Sequence, residues 1–274
     1  MALSRFWLNT FVRLKKSRVT RDFFHHPSPP RRDPAALPRR IYLYWDSGLD
    51  SAPELVRRCV ASWRAQNPGW EVEMLDQQAA DNHLPRADLP ETLSTAHYSD
   101  LLRTRILQEH GGVWADATSL CTRPLDDWLP QIFCQCGLFL FAAPAEDRAI
   151  STWFMAGVPG HPLLVRWHEA LMAHWGDAGA RKTYFGTHYL FEALTRCDPE
   201  CRHLWAETPA LSANPPHLLQ RCLTGKQTPT EANLNILRAT PLHKLTYKKG
   251  IAVGDLQDLL SRIAPATADR GNRG

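Results

Sequence analysis

The alternation of apolar and polar residues in the first part of the chain predicts a strand, a helix and a second strand. The run "IYLYW" after Arg40 is rich in β-forming residues and ends at Asp46, which predicts the first strand. The stretch "PELVRRCVASWRAQNPG" has near-helical apolar spacing and ends at Pro68 and Gly69, and "WEVEMLD" then predicts the second strand. This order is typical of a parallel α/β sheet, in which ligands bind at the carboxyl ends of the strands.

The same analysis predicts further elements along the rest of the chain. Residues 95–110 predict a helix stopped by Gly111 and Gly112, and "VWA" predicts a buried strand with Asp116 at its carboxyl end. "GLFLFAAP" predicts another strand, and "HPLLVRWHEALMAHW" and "YFGTHYLFEALTRC" predict two helices. Beyond Pro199 the prolines predict irregular structure, followed by a last helix near "DLQDLLSRI".

Length and composition predict one main domain. The chain has 274 residues, 44% hydrophobic and 22% charged, which is sufficient for one large α/β core. We expect a basic N-terminal tail and linker at 1–40, the domain at 41–255, and a helix end with a disordered tail at 256–274.

Charge is distributed unevenly along the chain. Residues 1–40 hold ten Lys or Arg against two Asp, although the whole chain has a net charge of only +4, so the remainder is mildly acidic. A nucleic-acid-binding core would carry its own basic face, and we therefore expect no nucleic-acid partner. The tail groups apolar residues between cations, which suits either an anionic membrane surface or packing on its own domain.

Targeting signals are not evident in the sequence. The tail lacks the unbroken apolar stretch of about 7–15 residues that a secretory signal needs. No apolar run reaches the roughly 20 residues that a membrane-spanning helix needs. We therefore expect a cytoplasmic protein. The basic tail also allows peripheral contact with the inner face of the membrane.

Three residues, one at a predicted strand end and two on a predicted helix, suggest a site for a diphosphate ligand. Asp116 ends a strand, and Asp100 and Arg103 are three residues apart on one helical face. A carboxylate in this position can hold a divalent cation that bridges two phosphates. Taken singly, a strand-end Asp is more often a cap or turn residue, and a pair three residues apart is usually a surface ion pair.

Together these stretches resemble a known signature. "SDLLR", "GGVWADAT" and "RPLDDW", in this order, are similar to the donor site of glycosyltransferases with the GT-A fold. The resemblance is to the capsular polysaccharide synthesis proteins and their relatives with a DXD sugar-binding region. It covers most of residues 41–250 and includes the late "HKLTYK". It implies a Rossmann-like α/β fold whose central sheet is mainly parallel and flanked by helices.

The resemblance also implies roles for individual residues. Trp45, with Tyr44 beside it, would contact the base of a nucleotide-sugar donor. Asp100 and Arg103 would hold the donor's hydroxyls and phosphate and take part in catalysis. His188 would have a polar role on the side of the glycan acceptor, although a buried structural histidine explains it equally well.

The DXD position departs from the family pattern. Asp116 matches the first acid, and Thr118 stands where the second acid is expected. The favoured explanation is that Asp116 holds Mn²⁺ or Mg²⁺ with Thr118 and His243, because a hydroxyl is an acceptable oxygen ligand. Alternatively, Lys244 and Arg103 neutralise the diphosphate in place of a tightly bound metal. The third explanation is an inactive enzyme.

The function implied by the resemblance is hexosyl transfer. The donor would be a nucleotide-diphosphate sugar, with a UDP-sugar as the first expectation, and the acceptor a hydroxyl of a capsular or other cell-surface polysaccharide. Retention of the anomeric configuration is implied by the family alone. The alternatives are a protein-modifying glycosyltransferase and a non-catalytic nucleotide-sugar-binding or scaffold protein.

Overall fold

A computed structural model describes residues 37–133, 136–176 and 183–264. These residues form an α/β structure in which helices flank a six-stranded sheet, the class of fold predicted above. Most of the basic tail lies outside the described residues, and so does the end of the chain from residue 265. The division of the chain into domains stays a prediction.

Eight strands are found in the described residues: β1 Arg40–Tyr44, β2 Glu71–Leu75, β3 Gly112–Ala115, β4 Ser119–Cys121, β5 Leu138–Ala145, β6 Arg148–Gly157, β7 Ala210–Ser212 and β8 Leu242–Lys244. The helices of the same residues are α1 Glu54–Gln66, α2 Gln77–Asp81, α3 Thr95–His110, α4 Leu129–Phe133, α5 Pro162–Trp175, α6 Gly186–Cys197, α7 Pro199–Glu207, α8 Leu218–Leu223, α9 Glu231–Ala239 and α10 Val253–Ile263. None of these helices has the length and apolar character needed to cross a membrane.

The large sheet has the strand order β2-β1-β3-β6-β5-β7. β1 runs parallel to both β2 and β3, and β5 runs parallel to β7, whereas β6 is antiparallel to both of its neighbours. β4 and β8 form a separate antiparallel pair. The chain adds β2 on one side of β1 and then β3 on the other, so the crevice at the carboxyl ends of β1 and β3 is the switch point where α/β proteins bind ligands.

Most of the predicted elements are confirmed. The opening strand, helix and strand correspond to β1, α1 and β2, and α3 has the predicted bounds. Ser94 caps the start of α3, because its side chain accepts a hydrogen bond from the His97 backbone N–H. Gly111, at φ 64°, ends the helix.

The prediction of irregular structure beyond Pro199 is wrong. α7 begins at Pro199, and α8 and α9 follow before the last helix. The Asp198 side chain accepts hydrogen bonds from the backbone N–H groups of Glu200 and Cys201. Proline fits the first turn of a helix, because its missing N–H would have no partner there, so Pro199 starts a helix instead of preventing one.

Gly112 allows β1 and β3 to lie close together. Its φ is 97°, and a Cβ at this position would lie 2.6 Å from the Arg40 carbonyl oxygen. Only glycine combines this backbone conformation with this approach of the neighbouring strand. Gly111 therefore ends α3, and Gly112 allows β1 to lie close to β3.

The core on one face of the sheet is rich in aromatic side chains from β5 and β6. Trp153 stacks on Phe141 with ring centroids 5.0 Å apart, and Phe154 stacks on Trp63 of α1 at 6.0 Å. All four rings are buried. This packing holds β6 against β5 and α1, and β6 in turn pairs with β3, the strand that leads to Asp116.

A buried histidine joins α3 to α5 and makes stability depend on pH. His168 Nδ1 lies 2.9 Å from Thr104 Oγ1, and burial lowers the His168 pKa to about 4. The unfolded chain binds a proton near the ordinary pKa of about 6.5, so acid favours unfolding. The contribution of neutral His168 is complete above pH 6.5 and is lost as the pH falls towards 4.

We expect the free energy of unfolding to fall by about 2 kcal/mol between pH 7.5 and pH 5 through His168 alone. Urea unfolding of the native chain and of His168→Gln at both pH values measures this difference. Exposed His203 provides the control variant His203→Gln, which removes a histidine outside the α3–α5 contact. An equal pH response in native chain and His168→Gln would contradict the prediction.

Candidate functional site

Asp116 lies directly after β3, at the switch point of the sheet. Its backbone N–H donates to the Trp153 carbonyl at 2.7 Å, and its carbonyl accepts from the Ser119 N–H at 2.8 Å. The first contact fixes the residue to β6, and the second closes a tight turn into β4. The backbone on both sides of the Asp116 side chain is therefore held in place.

The Asp116 carboxylate has a protein donor at each oxygen. Oδ1 accepts from the Trp114 indole Nε1 at 3.2 Å and lies 3.3 Å from Arg103 Nη2, while Oδ2 accepts from Lys244 Nζ at 2.9 Å. Burial acts most strongly on this carboxyl and would raise its pKa, but Lys244 and Arg103 outweigh it and the pKa is lowered. Asp116 is therefore ionised at neutral pH.

The Arg103 guanidinium connects several groups of the site. Nε donates to the Ser99 carbonyl at 3.1 Å, Nη1 donates to the Thr152 carbonyl at 2.6 Å, and Nη2 donates to Ser99 Oγ at 3.0 Å. Nη1 and Nη2 also lie 3.3 Å from oxygens of Asp100 and Asp116, respectively. Because each guanidinium nitrogen faces a protein acceptor, the geometry favours a positioning role for Arg103 over direct contact with a phosphate.

Asp100 connects α3 to α6. Its Oδ1 lies 3.3 Å from Arg103 Nη1, and its Oδ2 accepts from Thr187 Oγ1 at 2.7 Å. Burial raises the Asp100 pKa, against the opposing effects of Arg103 and Thr187. Asp100 is only 7% exposed. Its carboxylate therefore orders the neighbouring side chains of the site and is little accessible as an acceptor for a ligand.

Lys244 reaches Asp116 because β8 pairs with β4. Ser119 lies opposite Lys244, and the Leu245 backbone N–H donates to the Thr118 carbonyl at 2.9 Å. Opposed residues of an antiparallel pair share a face, so Lys244 extends towards the turn that carries Asp116 and Thr118. Its ammonium also donates to Thr118 Oγ1. The structure thus brings together Asp116, Thr118, Lys244 and Arg103, the residues on which the second of the sequence-based explanations depends.

His243 lies on the other face of β8. Adjacent strand residues point to opposite faces, and His243 is opposite Leu120, which belongs to a buried apolar cluster. Its ring is fully buried, and burial lowers its pKa to about 3. The structure does not bring His243 to Asp116.

The residues around Asp116 do not fit a divalent cation. Asp116 Oδ2 and Thr118 Oγ1, the two expected oxygen ligands, both accept from the Lys244 ammonium. Within 37–133, 136–176 and 183–264, no three His, Cys, Asp or Glu side chains are grouped as a metal site would require. The predicted ligand set of Asp116, Thr118 and His243 is thus not assembled.

Two aromatic residues meet beside the end of β1. Trp45 is half-buried, and its ring lies edge-on to the exposed ring of Tyr247 with centroids 5.1 Å apart. Tyr44, also predicted for the donor site, is instead buried, and its hydroxyl donates to Gln77 Oε1 at 2.7 Å. Trp45 and Tyr247 are therefore the aromatics available to a ligand at this edge.

His188 lies on α6 next to Thr187. Its ring is half-buried and lies edge-on to Phe185, with centroids 5.6 Å apart. Thr187, and not His188, supplies the hydrogen bond to Asp100. Helix α6, which sequence analysis associated with the site, thus contacts the site through Thr187.

Sequence reasoning missed three residues of the site: Trp114, Thr187 and Tyr247. Trp114 is inside the quoted "GGVWADAT", and its position two residues before Asp116 puts both on one side of the strand. Thr187 and Tyr247 are inside "YFGTHYLFEAL" and "HKLTYK". Only proximity in the fold distinguishes them from neighbouring polar residues of the same stretches.

The sequence of this chain is similar to those of known proteins. A family model described as capsular polysaccharide synthesis protein matches residues 10–260. Glycosyltransferase afumC of Aspergillus fumigatus is 29% identical over 163 residues, which are 51% of this chain and 41% of the relative. Putative glycosyltransferase HOC1 of Saccharomyces cerevisiae is 28% identical over 150 residues, or 47% and 37% of the two chains. The chain thus spans less than half the length of these curated relatives.

Two solved structures are similar at low sequence identity. The PaToxG glycosyltransferase has a TM-score of 0.43 at 12% identity, and the match covers 73% of this chain and 85% of that one. The galactosyltransferase LgtC, in complex with donor and acceptor sugar analogs, has a TM-score of 0.38 at 10% identity, with 84% and 98% covered.

Proposed function

This chain belongs to the capsular polysaccharide synthesis protein family, and on this premise we propose that it is a glycosyltransferase that uses a nucleotide-diphosphate sugar. One observation carries the proposal. The ionised carboxylate of Asp116 is held by Arg103 and Lys244 at the switch point of the sheet, and the aromatic pair Trp45 and Tyr247 follows β1 and β8, which pair with β3 and β4 on either side of Asp116. This arrangement supplies a surface for a base and fixed charge for a diphosphate within one crevice.

The proposed reaction transfers a hexose to a hydroxyl of a cell-surface polysaccharide with retention of configuration. The acceptor oxygen bonds to the anomeric carbon while the bond from that carbon to the diphosphate oxygen breaks, and the electron pair leaves with the diphosphate. The hydroxyl proton passes to the departing diphosphate oxygen. Cationic donors fixed by the fold stabilise the charge that builds on this leaving group without reorganising.

The experiment for this function is a donor and acceptor screen. The purified chain is incubated with UDP-, GDP- and CDP-sugars, and released nucleoside diphosphate is measured with no acceptor, with capsular oligosaccharides and with protein acceptors. Release stimulated by oligosaccharides supports the proposal. Stimulation by proteins alone supports a protein-modifying enzyme, and nucleotide binding without release under all conditions supports a non-catalytic protein.

The aromatic pair gives a prediction about the base. Stacking of a base on an aromatic ring contributes about 1–3 kcal/mol, so Trp45→Ala is expected to raise the Kd of the preferred nucleoside diphosphate by about tenfold or more. Tyr247→Ala is expected to have a smaller effect in the same direction, because this ring is 42% exposed. Isothermal titration calorimetry measures both, and inorganic pyrophosphate serves as the ligand without a base. An equal loss of pyrophosphate affinity would contradict stacking on the base.

The location of the protein is also part of the proposal. A basic N-terminal segment can hold an acidic catalytic domain near lipid-linked acceptors at the cytoplasmic face of a membrane. The supporting observation is the ten Lys or Arg within residues 1–40. Co-sedimentation with phosphatidylserine vesicles, but not with neutral vesicles, is the expected result, and binding to neither would contradict it.

A further inference from the structure

We propose that the Lys244 ammonium takes the place of the divalent cation that a DXD site would hold, so that donor diphosphate binding needs no metal. This inference rests on the proposed function, because it concerns the diphosphate of the same donor. The family pattern has an acid at each of these two positions, whereas this chain has Asp116 and Thr118 with the Lys244 ammonium bonded to both.

The Lys244 ammonium lies between the two side chains at the DXD positions. Lys244 Nζ lies 2.9 Å from Asp116 Oδ2 and donates to Thr118 Oγ1, so it bridges the two positions that form the DXD pair. A divalent cation shared by those two oxygens would occupy the same space. The ammonium therefore stands where the cation would stand.

The charge around the Asp116 carboxylate disfavours a divalent cation. A magnesium ion lies about 2.0–2.1 Å from a carboxylate oxygen. Any such ion on Asp116 Oδ2 would lie about 5 Å or less from the Lys244 ammonium, given the 2.9 Å contact. Arg103 Nη2, 3.3 Å from Oδ1, adds a second positive charge. Two fixed cations beside one carboxylate repel a third.

The position of Lys244 is fixed by the pairing of β4 with β8. Its backbone pairs with Ser119, and the next residue donates to the Thr118 carbonyl at 2.9 Å. The Lys244 side chain is 19% exposed, unlike a surface lysine free in solvent. The ammonium is thus held near Asp116 by the same pairing that joins β4 to β8.

The Lys244 ammonium retains one N–H donor for a ligand. A lysine ammonium has three N–H groups, and Asp116 and Thr118 accept two of them. The third can donate to a diphosphate oxygen in the crevice. Asp116 and Thr118 then orient the ammonium, and Lys244 is the group that contacts the donor.

The test measures binding of UDP, GDP and CDP to the full chain by calorimetry, in EDTA and in Mn²⁺. For the nucleotide that binds, we expect equal Kd values in the two buffers, within about twofold. Lys244→Met is expected to raise that Kd about tenfold or more, because hydrogen bonds from charged groups are the strong ones. The affinity for the matching nucleoside, which lacks the diphosphate, is expected to stay unchanged.

Three variants sharpen the test. Lys226→Met removes one exposed lysine elsewhere and is the matched control. Lys244→Arg, which keeps the charge, is expected to retain more affinity than Lys244→Met. The double variant Thr118→Asp/Lys244→Met restores an acid pair without the ammonium, and it is expected to bind the nucleotide only when Mn²⁺ is present.

Several outcomes would overturn the inference. Binding by the native chain that requires Mn²⁺ would overturn it and leave the proposed function standing, and this comparison needs no variant to fold. Unchanged affinity in Lys244→Met would do the same. Binding of none of the three nucleotides in either buffer would overturn both the inference and the donor site on which the proposed function depends.

Discussion

Asp116→Asn is expected to lower kcat/KM for glycosyl transfer by about 10²–10³-fold, the usual effect of removing one preorganised electrostatic group. The carboxylate accepts from Trp114 and Lys244 and faces Arg103. An amide has one acceptor oxygen, and its NH₂ group would confront one of these donors. The ammonium would then lose the partner that holds it at the diphosphate.

Nucleoside diphosphate release in the donor screen measures this effect. The control is Asp258→Asn, which neutralises an exposed aspartate on α10. Circular dichroism confirms that both variants are folded before rates are compared. If Asp116→Asn transferred the sugar at the rate of the control, Asp116 would have no part in the reaction, and a site elsewhere on the chain would be favoured.

Arg103→Met is expected to lower the free energy of unfolding by about 3–5 kcal/mol, because it leaves the buried Asp100 carboxylate without its cation and removes one of the two cations beside Asp116. The Arg103 side chain is 6% exposed and lies 3.3 Å from oxygens of both Asp100 and Asp116. It also donates to the Thr152 carbonyl of β6 at 2.6 Å. The substitution therefore removes the link between α3, β6 and the turn after β3.

Urea unfolding at neutral pH measures the loss. Arg105→Met is the matched control, since Arg105 is on the same helix and pairs with Glu109 at 2.7 Å with both side chains more than one third exposed. Surface pairs of this kind contribute about 0–1 kcal/mol. Equal losses in the two variants would mean that the buried charges around Arg103 contribute no more than a surface pair. Arg103→Lys, which keeps a charge but has fewer donors, is expected to fall between them.

Local chemistry explains why parts of the fold could be predicted. The start and end of α3 follow from Ser94 and Gly111, which act within one turn of the helix. The family of the chain was also recognised correctly from "SDLLR" and "GGVWADAT", and the match over residues 10–260 confirms it. These signals depend on neighbours in the sequence, so no knowledge of distant contacts was needed.

The short strands could not be predicted in the same way. β4 and β8 have three residues each, too few for a periodic pattern, and they are stable only as a pair. The residues they join are more than 120 positions apart, because Lys244 is 126 residues from Thr118 and 128 from Asp116. Contacts across such distances leave no local pattern.

The sequence by itself determined the family, the α/β class, and the positions of Asp100, Arg103 and Asp116 relative to a helix and a strand end. It also identified both His243 and Lys244 as candidates near Asp116, and it favoured a metal held with His243 over neutralisation by Lys244. Neighbouring residues of a strand point to opposite faces, and a register shift of one residue would exchange them. Only the pairing of Ser119 with Lys244 decided that the ammonium faces Asp116 and that the imidazole is buried in the core.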